Sequence, residues 1–97
     1  MKIDLSLKNE SLYAGCKVEE VAGRLNLVTP ITEAINIVGR NINKMVQETT
    51  SYNRNIVILT GPMAVWAYLI VFHACVHLFH EVRYNDGKNE VIVARHG

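Results

Sequence analysis

The sequence predicts a small α/β domain, a mixed sheet carrying two main helices, with elements in the order β-β-α-β-α-β-β over residues 1–97. Three observations carry this. Short segments of alternating polar and apolar residues lie near both ends of the chain. Two longer stretches, 31–46 and 63–79, are apolar at helical spacing or almost throughout. Between them Ile56-Val57-Ile58-Leu59 forms a continuous apolar run of strand length.

Residues 2–8 place Ile3, Leu5 and Leu7 on one face, as a half-exposed strand does. A turn at Asn9-Glu10-Ser11 leads to a second expected strand over 12–18, hairpinned to the first. Residues 19–28 show neither period and read as irregular. Thr29-Pro30 marks a helix start, a capping hydroxyl followed by proline at the first helical position. Ile31, Ala34, Ile35, Val38, Ile42, Met45 and Val46 then make one apolar stripe, interrupted by Gly39, which costs about 1 kcal/mol relative to alanine. Polar residues 49–54 form the expected exit loop. The run 55–60 reads as a central strand covered on both faces. Gly61-Pro62 ends it and opens a helix over 63–79, apolar nearly all round and therefore expected to be buried. Residues 81–84 and 90–95 read as a terminal hairpin around the turn Asn85-Asp86-Gly87.

Composition narrows the function. Hydrophobic residues make up 49% and charged residues 20%, which excludes general disorder. Ten basic and nine acidic side chains leave a formal charge of +1, so no broad field exists for long nucleic acid. Cys16 and Cys75 form no paired motif, and no segment reads as a signal peptide or a membrane span. A cytoplasmic protein is expected, and a domain of this size makes oligomerisation a reasonable prior.

All four histidines fall between positions 73 and 96. On a helix His73, His77 and His80 project within about 60° of one another. Such a stripe can converge on a metal ion or a phosphate, whereas a lone histidine on an apolar helix is more often a hydrogen-bonded core residue. Thr60-Gly61-Pro62 lies between a central strand and a helix, where backbone amides favour anions; it is equally a tight turn. Trp66 can stack on a base, although helical aromatics usually serve the core. Asp86 is a candidate carboxylate at the hairpin tip, with Lys88 and Arg95 close by and His96 after the last strand.

Together, Ile58-Leu59-Thr60-Gly61-Pro62, Val65-Trp66, Leu69, His73, His77, Val82, Tyr84, Asn85-Asp86, Val91-Ile92-Val93 and His96 resemble the third family of CRISPR-associated ring nucleases. The likeness covers residues 56–96; before them only the order of elements is similar. It implies a fold similar to the cyclic-oligoadenylate sensor domains and an enzyme that cuts cyclic tetra-adenylate, the messenger of type III CRISPR immunity. It also implies a divalent cation, typically manganese, and a homodimer or dimer of dimers that sandwiches the ring. Carried onto this chain, it implies metal ligation by His73, His77 and Asp86, and catalysis by His77, Asp86 and His96. Thr60, Gly61, Trp66, Lys88 and Arg95 are the expected ligand contacts. The family's hairpin reads Asp-Pro-Arg-Leu-Gly, whereas this chain has Asn85-Asp86-Gly87-Lys88-Asn89 and so lacks the arginine. A sensor that binds the ring without cutting it, and a metal-binding interaction protein, are the rival readings.

Overall fold

The computed structural model describes residues 1–49 and 54–96. Its elements are β1 (Lys2–Asp4), β2 (Val18–Val21), β3 (Arg24–Leu27), α1 (Ile31–Gln47), β4 (Ile56–Thr60), α2 (Val65–Val76), β5 (Glu81–Asn85) and β6 (Glu90–Arg95). The mixed sheet has the order β1-β4-β5-β6, while β2 and β3 form a separate antiparallel pair. The expected α/β class with two main helices is therefore present. Three strands, rather than two, precede the first helix.

The N-terminal hairpin expected between residues 2–8 and 12–18 is absent. β1 instead pairs in parallel with β4, Ile3 opposite Leu59. Local side-chain bonds divert the chain after Asp4. The Asn9 side chain donates to the Asp4 carbonyl and accepts from the Leu12 amide, and Cys16 N bonds Tyr13 O. This compact turn buries Leu5, Leu12 and Tyr13. Asn41 of α1 clamps it by donating to the carbonyls of Leu12 and Ala14. The hairpin that does form lies in the stretch expected to be irregular. Its two-residue turn, Ala22-Gly23, has φ of 52° and 78°, the primed geometry that suits a tight hairpin.

α1 begins at Ile31, with Pro30 at the boundary. Thr29 does not cap it; its hydroxyl accepts from Lys17 N at 2.7 Å and ties the small hairpin down. Ala34, Val38, Ile42 and Val46, four residues apart, form its buried face. At its end the Arg54 guanidinium donates to the carbonyls of Val46 and Gln47 in the last turn and of Thr49 just beyond it. The exit loop expected over 49–54 falls, at 50–53, outside the described residues.

β4 is central, parallel to both β1 and β5, but only one of its faces is covered. Val57 and Leu59 are buried, while Ile56, Ile58 and Thr60 remain half-buried. The physical reason is topological. The crossovers β1 to β4 and β4 to β5 step the same way across the sheet, and their usual right hand puts both helices on one face. There α1 packs against α2, and Val38, Ile42, Val71, Cys75, Val57 and Val82 share one core. α2 is accordingly not buried all round. Val65 is 72% and Leu69 63% exposed, because nothing among the described residues covers that side. It is also shorter than expected, running from Val65 to Val76. No helix among the described residues is long and apolar enough to cross a membrane.

Candidate functional site

The residues singled out by sequence fall at opposite ends of the sheet. At the carboxyl ends of β4 and β5, residues Thr60, Gly61, Pro62, Tyr84, Asn85, Asp86 and Gly87 line a recess of about 290 Å³. Thr60 and Asn85 are in register, and the Thr60 hydroxyl donates to the Asn85 carbonyl at 2.9 Å. The Tyr68 hydroxyl donates to the Gly61 carbonyl, and its ring stands edge-on to Tyr84 at 5.4 Å. Burial, with Tyr84 and Asp4 nearby, pushes the Tyr68 phenol up, so it stays a neutral donor.

Gly61 has a different job from the one expected. α2 starts only at Val65, so this glycine does not open the helix. Its φ is +102°, and the space a side chain would fill is taken by the Asp4 carboxylate rather than left for a ligand. Asp4 is held there by the amide and hydroxyl of Ser6, both at 2.9 Å.

Asp86 sits on the exposed hairpin tip. Its Oδ1 accepts from the amides of Lys88 and Asn89, each at 2.8 Å, while Asn85 Oδ1 accepts from Gly87 N at 2.7 Å. The amides of Asn89 and Lys88 hold the Asp86 carboxyl below the usual aspartate value, so it is a carboxylate at neutral pH. One oxygen thus serves the turn, and Oδ2 makes no hydrogen bond among the described residues. Lys88 is exposed on the same tip.

The histidines gather at the other end. His73 and His77 stand edge to face with ring centroids 5.5 Å apart, beside Asn43 and Ile70. His77, the residue that closes α2, also lines a recess of about 290 Å³ with His80 and His96. His80 lies beyond the helix, so the expected three-residue stripe ends at His77. The chain nonetheless returns His80 to the group, because the His96 amide donates to the His80 carbonyl at 2.7 Å. That neighbourhood could not be read from spacing, since it depends on the pairing of β5 with β6. All four histidines are exposed, and no ring makes a hydrogen bond among the described residues. They are not core histidines.

Arg95 belongs to the histidine end, where it pairs with Glu81 at 3.0 Å. Trp66 packs half-buried against the core and lines neither recess, so stacking on a base is not its geometry here. Burial pushes the Cys75 thiol up to about 12, which leaves it protonated and unreactive at neutral pH.

From His80 to Asp86 the chain runs straight through β5, a span of roughly 20 Å at about 3.3 Å per residue. The expected ligand set of His73, His77 and Asp86 is therefore split within one chain. Among the described residues no three His, Cys, Asp or Glu side chains converge. Of the expected set, one chain brings only His73 and His77 together, and those two imidazoles without Asp86 do not fit a bound divalent cation.

No protein-family model, curated protein or solved structure matches this chain.

Proposed function

We propose that the chain is a phosphodiesterase that opens cyclic tetra-adenylate at sites shared between copies, as the resemblance to the third family of ring nucleases implies. The observation that carries this reading is the exposure of His73, His77, His80 and His96 at one end of the sheet. Histidines kept for packing would be buried and hydrogen-bonded. Exposed and clustered, they are placed to meet an outside ligand.

In this reading water or the adjacent ribose 2′-hydroxyl attacks phosphorus and gives its proton to one imidazole of the His77–His96 pair, while the other gives a proton to the ribose oxygen whose bond to phosphorus breaks. Asp86 of another copy, ionised at neutral pH, faces them. Thr60 lines the recess beside that carboxylate, and Lys88 is exposed on the same hairpin tip. The cation implied by the resemblance would belong to this composite site.

One observation favours the rival reading of a sensor that binds the ring without cutting it. The hairpin has Lys88 where the family has an arginine fork, and a lysine cannot hold a phosphate through two parallel bonds.

Chromatography of cyclic tetra-adenylate incubated with the protein, with and without manganese, separates the two. Linear products in the wild type, their loss in His77→Ala and in Asp86→Ala, and partial recovery on mixing these two variants are expected. Recovery follows because one copy supplies the histidine and the other the carboxylate. An intact ring after long incubation, together with tight binding, would establish the sensor instead.

A further inference from the structure

The free edge of β6 carries an incomplete charge network. On the sheet face away from the helices, Arg95 pairs with Glu81, Glu81 with Arg83, and Arg83 with Glu90 at 3.2 Å. The chain of charges is open at both ends, and both ends, Glu90 and Arg95, lie on the edge strand. Five residues apart, they would point to opposite faces of a regular strand. A bulge between the Val82 and Arg83 pairings brings both to one face.

β6 is also the longer free edge of the sheet. Among the described residues it hydrogen-bonds only to β5, and it contains neither proline nor lysine. Val91, Ile92 and Val93 are 46–49% exposed along it. The opposite edge, β1, is three residues long with Lys2 and Asp4 at its ends, the usual way an edge is kept from pairing. On the helix side Val93 and Tyr84 continue into an apolar groove of about 370 Å³ along Val65 and Leu69 of α2.

We infer that a second copy of this chain covers this edge, its β6 pairing antiparallel with β6 about a two-fold axis near Ile92 and Val93. In that register Glu90 of each copy meets Arg95 of the other. Four side chains from each copy, Arg95, Glu81, Arg83 and Glu90, then close into one ring of alternating charge. A partner strand running parallel would leave Glu90 opposite Glu90 and Arg95 opposite Arg95, which is repulsive. The interface is isologous, with the same patch on both copies.

The consequence for function follows from strand direction. Antiparallel pairing carries the end of β6, with His96 and the neighbouring His80 and His77, toward the Asp86 hairpin of the other copy. The two halves split by about 20 Å within one chain approach each other twice per dimer. This consequence rests on the reading under Proposed function; the pairing itself does not.

Sedimentation velocity of the full chain from about 1 to 100 μM tests the pairing, together with oxidative crosslinking of Ile92→Cys in a Cys16→Ser background. A dimer is expected, with at least a tenfold weaker dissociation constant in Ile92→Lys and a disulfide-linked dimer from Ile92→Cys. Should Ile92→Lys fail to fold, the crosslink decides. A wild-type monomer throughout the range would overturn the pairing. So would a dimer indifferent to Ile92→Lys that gives no crosslink. A crosslinked dimer that leaves the ring intact would overturn only the catalytic reading.

Discussion

Gly61 and Asp4 occupy each other's space: a Cβ built on Gly61 would collide with Asp4 Oδ1, with the amides of Leu5 and Ser6 at 3.1 and 3.0 Å. The end of β1 therefore lies against the corner after β4, and the positive φ of Gly61 belongs to that contact. Gly61→Ala should lower stability by about 2–4 kcal/mol, since both backbone and neighbour oppose it. Urea denaturation measures this. An unchanged midpoint would show that the corner is open enough to admit a ligand at Gly61.

Gly39 is the opposite case. It has ordinary helical geometry within α1, and an added Cβ would meet only Ile70 Cγ2, at 3.9 Å. Gly39→Ala should stabilise the protein by about 0.5–1 kcal/mol through helix propensity. Thermal melting of the two glycine variants side by side would show shifts of opposite sign.

Because the histidines are exposed and their rings unbonded among the described residues, His77→Ala and His96→Ala should change stability by no more than about 0.5 kcal/mol. Ring cleavage should fall by roughly 10²–10⁴-fold in each, the usual weight of a general acid. Circular dichroism melts run beside the chromatographic assay check both halves. A large stability loss would reassign these residues to the fold.

Asp86 combines a turn role with its proposed chemistry, and two substitutions separate them. Asp86→Asn keeps an oxygen for the amides of Lys88 and Asn89, whereas Asp86→Ala removes it. Both should abolish cleavage, and the alanine should lower the melting temperature more than the asparagine, which loses only the charge. The folded carboxyl lies below its usual 3.8. Its contribution to stability is thus fully present above about pH 4 and lost as pH falls through the depressed value. Asp86→Asn should flatten that acid limb in melts taken between pH 2 and 6.

Tyr13, 3% exposed, donates its hydroxyl to the Leu5 carbonyl. Burial, with Asp4 nearby, raises its phenol well above the usual 10.0. Stability from the neutral form is complete below pH 10 and lost as pH rises toward the raised value, because the unfolded chain ionises first. Tyr13→Phe should cost about 1–3 kcal/mol at neutral pH by leaving the Leu5 carbonyl unpaired. It should also soften the alkaline decline, as melts from pH 7 to 11 would record.

What the sequence determined by itself was local. Apolar period marked α1, β4 and α2, and Asn85-Asp86-Gly87 marked the β5–β6 turn, because each signal is written in neighbouring residues. The hairpin at Ala22-Gly23 escaped notice since alanine rarely adopts positive φ, and the second strand expected at 12–18 was overridden by the hydrogen bonds of Asn9. Tertiary structure alone decided which strands pair, and hence everything about the site's layout. Alternation tells which face of a strand is apolar but not which strand lies beside it. Whether β4 is covered once or twice depended on the direction of two crossovers. The gathering of His80 with His96, and the separation of both from Asp86, followed from β5 running the length of the sheet between them.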